Sequence, residues 1–349
     1  MNRSELLAKL ERVAPALSSN NLVPILQHFW FRDNMLLCYN DHIALQTSLK
    51  TDFVGAIPST LVSLLSVSRA KEVELVLDKT GELTVKAASS RFKLPYMTVK
   101  AAEIFAMPEP TKEALPVDMA AFIEAVEACS RSLKEDTSMP DSLGVTMIYN
   151  NKGLDLYATN DATISYARVK TKQELKDFRV VVSGEFCRQM LTLAKLDGAK
   201  HLEIHDDYSL FTCGDNTLFG RLVDVQRPLD FDSVIESSFP VAAEKQLVTI
   251  PSKLELILDR AIVITDSKQD RPKTDINIKD GVAKFFSQSP DKGEVHDSMQ
   301  VEQHHPDVSV SVDPRLFKAG YGFFTHMLIT ENCLIMSKGS NLYLVSASH

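Results

Sequence analysis

Residues 180–212 read VVVSGEFCRQMLTLAKLDGAKHLEIHDDYSLFT, and the pattern of this stretch occurs three times in the chain. It predicts a short apolar strand, an amphipathic helix, and two alternating strands joined by a polar turn. The same order is present at residues 55–85 (GAIPSTLVSLLSVSRAKEVELVLDKTGELTV) and 308–338 (VSVSVDPRLFKAGYGFFTHMLITENCLIMSK). A unit repeated in this way indicates an architecture that is built from one module.

A longer helix followed by strands precedes each copy, at residues 3–49, 119–169 and 251–299. The repeat therefore divides the 349 residues into three modules, 1–113, 114–238 and 239–349. The Pro-rich segment 107–117 (MPEPTKEALPV) is the first linker. Because strands outnumber helices and most connections are short hairpins, we expect an α+β fold in which each module packs two helices on antiparallel sheets.

Six amphipathic stretches predict helices, at residues 3–18, 58–71, 118–134, 184–196, 251–264 and 313–323. Pro58 is expected in the first turn of the second helix, where a missing N–H has no cost. Pro24 is expected to open a strand over residues 25–31.

The formal net charge of the chain is −8, which by itself argues against nucleic acid as a partner. The six predicted helices nevertheless carry +4 together, which leaves −12 for the remaining residues. Helices that face a polyanion would explain this asymmetry. Ordinary scatter of surface charge explains it equally well.

Hydrophobic residues make up 44% of the chain and charged residues 24%, as in an ordinary soluble protein. No apolar run approaches the ~18 residues that a membrane span needs, and the start MNRSELLAKLERV lacks the pattern of a signal peptide. The five cysteines are odd in number and form no C-x-x-C pair, so we expect free buried thiols in a reducing compartment, the cytoplasm.

No set of residues in the sequence predicts catalysis. A Walker A motif and a G-x-S-x-G elbow are both missing, and Gly320 and Gly322 are not completed into G-x-G-x-x-G. His201 and His205 are four apart, but HLEIH alternates as a strand, which separates them along one face. We therefore expect a binding or structural protein rather than an enzyme, with no metal and no cofactor.

Several local sequences lie in the order found in one family of ring-forming replication proteins. These are Leu22-Val-Pro24-Ile-Leu26, the stretch Leu154–Thr159, Leu222-Val-Asp224 followed by Pro228, Phe231 and Val234, and Lys292-Gly293-Glu294 with an apolar strand near the end. With the three-module layout, they make the whole chain resemble the β sliding clamp of bacterial DNA polymerase III, as a divergent or phage-encoded member.

The resemblance implies that two chains pair head to tail into a homodimeric ring of six domains, with duplex DNA in the hole and helices lining it. Contacts to phosphates would be independent of sequence. The implied DNA-facing residues, each with a solvated surface role as the alternative, are Lys9, Arg12, Arg69, Lys71, Arg131, Lys134, Arg188, Lys195, Lys253, Arg260, Arg315 and Lys318. Ring closure would join a surface near residues 91–98 to one near Ile262, Val263 and Glu294.

The resemblance also implies a hydrophobic pocket that receives short peptides from the DNA polymerase and the clamp loader. Its residues by position are Thr159, Ile164, Pro228, Val234, Leu344 and Ser346. The family's Thr-Asp-Gly-His-Arg-Leu is Thr159-Asn-Asp-Ala-Thr-Ile164 here, and its C-terminal Met-Pro-Met-Arg-Leu is Ser346-Ala-Ser-His349. The loss of two adaptable methionines leaves a pocket that is altered, narrower in its choice of partner, or absent.

Two further hypotheses remain beside the clamp. A clamp-like fold could serve only as a scaffold for protein interactions, which the overall charge of −8 and the changed pocket favour. A hydrolase would need a carboxylate cluster around Asp206, Asp207 and Asp215 that binds a divalent ion.

Overall fold

The structure is a computed structural model that describes residues 1–18, 23–51, 54–77, 82–97, 105–111, 113–133, 143–150, 153–160, 162–226, 228–238, 246–266, 272–302 and 305–348. Within these ranges the helices are α1 (Arg3–Val13), α2 (Thr60–Val67), α3 (Met119–Cys129), α4 (Gly184–Leu193), α5 (Phe231–Ser238), α6 (Leu254–Thr265) and α7 (Pro314–Gly320). None of these helices has the length and apolarity that crossing a membrane requires.

The strands of the first third of the chain are β1 (His28–Arg32), β2 (Met35–Tyr39), β3 (Ile43–Ser48), β4 (Gly55–Pro58), β5 (Val73–Leu77), β6 (Glu82–Ala87) and β7 (Ser90–Pro95). Those of the middle are β8 (Gly144–Tyr149), β9 (Leu154–Thr159), β10 (Thr163–Val169), β11 (Phe178–Ser183), β12 (Lys200–Ile204), β13 (Tyr208–Cys213) and β14 (Asn216–Arg221). Those of the last third are β15 (Val248–Thr249), β16 (Thr274–Lys279), β17 (Val282–Ser289), β18 (Gly293–Gln300), β19 (Val308–Val312), β20 (His326–Ile329), β21 (Cys333–Lys338) and β22 (Asn341–Ser346).

The described strands pair antiparallel in every ladder, so the predicted α+β class is confirmed. The chain forms two compact units, each of which is built from segments distant in sequence. Unit 1 comprises Met1–Leu115 and Glu185–Leu222, and unit 2 comprises Pro116–Gly184 and Val223–His349.

Unit 1 contains a seven-stranded sheet in the order β12-β13-β14-β3-β2-β1-β4 and a three-stranded sheet β5-β6-β7. The seven-stranded sheet is continuous because β14 pairs with β3, which places Leu218 opposite Leu45. On one side, α1 packs on β2 and β3, where Leu6, Leu10 and Val13 are buried.

The other side of this sheet is covered by residues 105–111, which include the start of the predicted linker 107–117. Phe105 and Met107 pack against a buried cluster that includes Trp30 and Leu37. Phe105 stacks on Tyr39 with 5.4 Å between the ring centroids. Farther along, the Thr111 hydroxyl donates to a carboxylate oxygen of Glu203 at 3.0 Å. The start of the linker is therefore fixed to the sheet by Met107, by Thr111 and by the preceding Phe105, which its Pro-rich composition did not predict.

Unit 2 contains an eight-stranded sheet in the order β11-β8-β9-β10-β22-β21-β20-β15 and a four-stranded sheet β18-β17-β16-β19. Here the pairing of β10 with β22 makes the larger sheet continuous and places Ile164 opposite Leu344. Helix α3 packs on β9, β10 and β22, and α6 packs on α7, β17 and β18.

The six predicted helices are all present, but most end earlier than the sequence pattern indicates. Pro58 is the last residue of β4, and α2 begins two residues later, at Thr60, so the helical placement of Pro58 was wrong. Pro24 opens a short 3₁₀ helix to Gln27 rather than a strand, and β1 begins at His28. In both cases the fixed φ of proline fits more than one local structure, and tertiary pairing decides between them.

All five cysteines are buried thiols outside any disulfide, as expected. Burial raises the pKa of Cys38 and of Cys333, which keeps both in the unreactive thiol form.

Gly220 of β14 is a close-packed position against α4. A Cβ at Gly220 would lie 2.5 Å from Cδ2 of Phe186, whose ring is fully buried. We predict that Gly220→Ala lowers the free energy of unfolding by about 1–3 kcal/mol, since the ring must shift inside a packed core. Urea unfolding measures this, and an unchanged midpoint would show that α4 does not pack tightly on β14.

Candidate nucleic-acid and partner-binding sites

Two of the implied DNA-facing residues, Lys9 and Arg12, project from α1 toward the turn between β13 and β14. Lys9 Nζ lies 3.2 Å from Asp215 Oδ2 and also donates to the carbonyl of Ser48. Arg12 Nη1 donates to Asn216 Oδ1 at 3.3 Å. Burial raises the pKa of Asp215, but hydrogen bonds from Ser48 and Lys9 outweigh this and leave the pKa below its usual value. Lys9 is therefore largely neutralised within unit 1.

The candidate cations of α6 and α7 are also engaged. Arg260 makes two hydrogen bonds to Asp297, at 2.7 and 2.8 Å, and these bonds raise the pKa of the guanidinium. Lys318 pairs with Asp259, and Arg315 pairs with Asp313 at 3.0 Å. Lys253 Nζ donates to the carbonyl of Ser298 at 2.9 Å. A phosphate would have to compete with these partners.

Arg131 follows α3 and has a structural environment. Its Nη1 donates to the carbonyl of Ala319 at 2.8 Å, and its guanidinium lies 4.7 Å from the ring centroid of Phe323. Burial lowers the pKa of Arg131 in spite of the nearby Glu127. The side chain therefore joins the end of α3 to the end of α7.

The four remaining described cations, Arg69, Lys71, Arg188 and Lys195, are exposed and belong to unit 1. Arg69 and Lys71 follow α2, because that helix ends at Val67, and Lys195 follows α4 in the same way. Among the described residues, no side-chain hydrogen bond or ion pair involves Arg69, Lys71 or Lys195. Lys134 lies outside the described residues.

The residues of the implied peptide pocket belong to unit 2. The ladder pairs Thr159 with Ile164 and Ile164 with Leu344, so these three side chains share one face of the sheet. The Thr159 hydroxyl is buried and donates to the carbonyl of Thr163 at 3.0 Å. The Ser346 hydroxyl donates to the carbonyl of Ala162 at 3.1 Å. Ile164 stays only half-buried.

Helix α5, which the sequence analysis did not predict, lies on this same face. Phe231 stacks on Tyr157 with 4.8 Å between ring centroids, and the Tyr157 hydroxyl donates to Asp232 at 2.5 Å. Burial, followed by this hydrogen bond, raises the pKa of Tyr157. Ile235 packs against the buried cluster of β20, β21 and β22 that includes Leu344. The helix therefore crosses the sheet from β9 toward β21 and leaves Pro228 and Val234 exposed.

A buried ion pair lies in the neighbouring part of the same face. Asp155 is 1% exposed and accepts hydrogen bonds from Arg168 Nε at 2.6 Å and Nη2 at 2.8 Å. The Tyr166 hydroxyl donates to Asp155 at 3.0 Å, and Tyr166 packs against Tyr157. The only sequence signal for this network was a carboxylate inside the apolar strand LDLYAT. The cation that pairs with Asp155 is set by the register of β9 against β10, which places Arg168 opposite it.

Within the described ranges, no group of three or more His, Cys, Asp or Glu side chains is arranged to hold a metal ion. Asp215 is held by Lys9 and Ser48, while Asp206 and Asp207 form the exposed turn between β12 and β13. The carboxylate cluster that a hydrolase would need is thus not formed by these residues.

No family model matches the chain. The beta sliding clamp of Streptococcus pneumoniae is 21% identical to it over 334 residues, which cover 90% of this chain and 86% of that protein. Two crystal structures have a similar fold. They are the DNA polymerase III beta subunit from Thermotoga maritima (TM-score 0.81, 18% identity) and the DNA polymerase sliding clamp from Bacillus subtilis (TM-score 0.80, 14% identity). Each superposition covers 100% of this chain and 98% of the other chain.

The fold of this chain is that of a DNA sliding clamp. More narrowly, it is the fold of the bacterial DNA polymerase III beta subunit, and the similarity extends over the whole length of both proteins. The resemblance identified from the order of short sequence motifs is thereby confirmed.

We predict that Tyr157→Phe loosens α5, because it removes the hydrogen bond to Asp232 but keeps the ring that stacks on Phe231. Amide hydrogen exchange should become faster over residues 231–238 and stay unchanged in unit 1. Tyr208→Phe, which removes a tyrosine hydroxyl from β13, is the matched control. Equal exchange in wild type and Tyr157→Phe would show that stacking alone holds the helix.

We also predict that Arg168→Met lowers the free energy of unfolding by about 2 kcal/mol, since it leaves the buried Asp155 carboxylate without its cation. This loss of unfolding free energy is smaller than that expected when one partner of a fully buried ion pair is removed, because Arg168 is 43% exposed. The double variant Asp155→Asn/Arg168→Met should recover most of the loss in urea unfolding. Additive losses in the double variant would contradict the pairing.

Proposed function

We propose that this chain is a DNA polymerase processivity factor: a non-enzymatic clamp that encircles duplex DNA as a head-to-tail homodimer and tethers the polymerase. The observation that carries the proposal is the match of the entire chain to sliding clamps at TM-scores of 0.80 and 0.81. Three modules in each chain, 1–113, 114–238 and 239–349, give a ring of six domains when two chains pair.

The proposed ring closes between two outer strands. In the part of the chain that the structure describes, β7 pairs with no strand but β6, and β18 pairs with no strand but β17, so both are outer strands of their sheets. Such edges are templates for pairing with another strand. Joining β7 of one chain to β18 of the next is a heterologous contact, and two such contacts close a ring when the chains are related by a half-turn.

The charges of these two strands are complementary. Strand β7 (SRFKLP) carries Arg91 and Lys93 and no carboxylate, whereas β18 (GEVHDSMQ) carries Glu294 and Asp297 and no lysine or arginine. Because Lys93 is already paired with Glu82 and Asp297 with Arg260, the complementarity rests mainly on Arg91 and Glu294. Val67 at the end of α2 is 76% exposed, and Val263 on α6, the helix that packs on β18, is 64% exposed. Apolar contact between these helix ends would add to the strand pairing. Repulsion between like charges would disfavour pairing of β7 with β7 or of β18 with β18.

The proposed contacts to DNA come first from Arg69, Lys71, Arg188 and Lys195. Their exposure supports this role, since a phosphate can reach them directly. The cations of α1, α6 and α7 contribute less, because each is already bonded within its own unit. A clamp benefits from weak contacts that carry no sequence information, because such contacts permit sliding.

Ring closure is testable with cysteine cross-linking, because all five native cysteines are buried. Ser90 of β7 and Ser298 of β18 are both exposed. We predict that a Ser90→Cys/Ser298→Cys variant treated with a short bis-maleimide gives a covalently closed dimer. The single variants, Ser90→Cys and Ser298→Cys, are the controls and should stay monomeric on denaturing gels.

A ladder of higher oligomers from the double variant would show an open head-to-tail filament. Cross-linking of either single variant to itself would show like-with-like pairing. Both results would contradict a closed head-to-tail ring.

We predict that Arg69→Gln/Lys71→Gln weakens binding to a short labelled duplex. The magnitude of the slope of log K against log salt concentration should fall by about 2, because each phosphate that is no longer neutralised removes about 0.9. The matched control is Arg260→Gln/Lys318→Gln, which removes two cations that are ion-paired. It should change the slope much less. Fluorescence anisotropy over a series of salt concentrations measures both.

Equal slopes for the two variants would contradict the proposal that Arg69 and Lys71 contact DNA more strongly than the ion-paired Arg260 and Lys318. A wild-type protein that binds no duplex at low salt would instead favour the scaffold. The scaffold remains the second candidate because so many of the implied DNA-facing cations are neutralised by carboxylates and the chain has a net charge of −8.

A further inference from the structure

A small pocket, here called the linker pocket, lies on the face of the seven-stranded sheet that residues 105–111 cover. Its apolar lining is Met35 and Leu37 of β2 together with Phe105 and Met107 of the covering segment. Leu37 is buried, and the other three side chains are half-buried. The pocket belongs wholly to unit 1, and none of its residues is among those assigned above to DNA, to partner peptides or to ring closure.

The size of the linker pocket suits a single six-membered ring. Its volume is about 160 Å³, and an apolar cavity of about 150 Å³ in another protein binds benzene. The sulfurs of Met35 and Met107 and the ring of Phe105 favour an aromatic ligand over an aliphatic one, because both kinds of group make favourable contacts with the edge or face of a ring. Two fused rings would need more room.

Two of the polar residues that line the pocket carry charges that offset each other. Arg32 Nε donates to Asp33 Oδ2 at 2.7 Å, and both residues line the pocket. Asp33 and Asn34 form the turn between β1 and β2 with φ angles of 52° and 61°, the positive values that a type I′ turn requires. The turn therefore holds the ion pair at the pocket. A charged ligand would meet one charge of its own sign here, so a neutral ligand fits better.

Gln46 gives the pocket a hydrogen-bonding group that the fold itself does not use. It lies opposite Leu37 in the ladder of β2 and β3 and is half-buried. Across the described ranges, its side-chain amide takes part in no hydrogen bond within the protein. An amide offers a donor beside an acceptor, so it is matched by a ring edge on which an N–H lies beside a C=O.

We propose that the linker pocket binds a pyrimidine ring of the uracil type, either in a free nucleoside or as an unpaired thymine of single-stranded DNA. Uracil and thymine are neutral six-membered rings in which one N–H lies between two carbonyls. The ring would rest on Leu37 between Met35 and Met107. Its N–H and one carbonyl would face Gln46, and the second carbonyl would face Arg32, whose guanidinium only donates. The inference does not depend on the proposed clamp function.

Methyl NMR on the full chain, labelled with ¹³C at the methionine methyl groups, tests the proposal with thymidine as the probe. The methyl signals of Met35 and Met107 should shift and saturate, with a dissociation constant in the millimolar range because one ring makes few contacts. Those of Met327 and Met336, which are fully buried in unit 2, should not move. Benzoate and benzylammonium, which carry opposite charges on a ring of the same size, should bind at least fivefold more weakly than thymidine.

Two variants separate hydrogen bonding from occupancy of the pocket. Gln46→Met keeps the length of the side chain but removes the amide, so it should weaken thymidine at least fivefold and leave toluene unchanged. The matched control is Gln288→Met, the same change at an exposed position of β17, which should affect neither ligand. Ala106→Phe, at an exposed position that lines the pocket, should fill it and abolish binding of both.

The thermal unfolding midpoint shows whether each variant is folded. Displacement of thymidine by toluene on the wild type tests the shared site even if a variant is not.

A tetranucleotide of thymine distinguishes the two sources of the ring. Shifts of the same methyl groups with both thymidine and the strand, lost in Ala106→Phe, would assign the pocket to unpaired bases. Shifts with thymidine alone would assign it to free nucleosides.

Three results would overturn the inference: no shift of Met35 and Met107 with thymidine, binding of benzoate or benzylammonium as tight as that of thymidine, or unchanged thymidine affinity in Gln46→Met. A chain that closes into a ring on DNA but shows one of these results loses only the pocket. A chain that binds thymidine as expected but never forms a ring loses the clamp and keeps the pocket.

Discussion

The fold depends on two antiparallel ladders that join strands distant in the chain. In unit 1, β3 pairs with β14 over residues that are more than 150 positions apart, and in unit 2, β10 pairs with β22 over a similar separation. Each ladder converts two smaller sheets into one continuous sheet, of seven and eight strands respectively. Backbone pairing across these junctions satisfies N–H and C=O groups that would otherwise form open edges. The helices and the partner-binding face all take their positions from these sheets.

Ion pairing within each unit sorts the basic residues into two groups. Carboxylates on neighbouring elements hold Lys9, Arg260 and Lys318, and a buried aromatic environment holds Arg131. Exposed pairs of this kind contribute little to stability, about 0–1 kcal/mol each, but they reduce the charge available to a polyanion. A protein with a net charge of −8 would then present local positive charge only where no carboxylate lies nearby.

The sequence predicted much of this architecture because hydrophobic periodicity and turn residues are local signals. The six helices and the antiparallel α+β class follow from such patterns. Helix α5 was missed because its eight residues, FDSVIESS, are short and polar, and its stability comes from Tyr157 and the Leu344 cluster. The ion pairs were also unpredictable, since Lys9 and Asp215 meet only when β14 pairs with β3. The positions of Arg69 and Lys71 beyond the end of α2 depend on where the helix stops, which periodicity leaves uncertain by several residues.

The mass and shape of the purified protein show whether two chains close into a ring. Light scattering across a range of concentrations, combined with negative-stain imaging, measures both on the unmodified chain. We expect particles of two chains with an open centre wide enough for duplex DNA. A compact monomer at every concentration, or open filaments that never close, would contradict a closed ring.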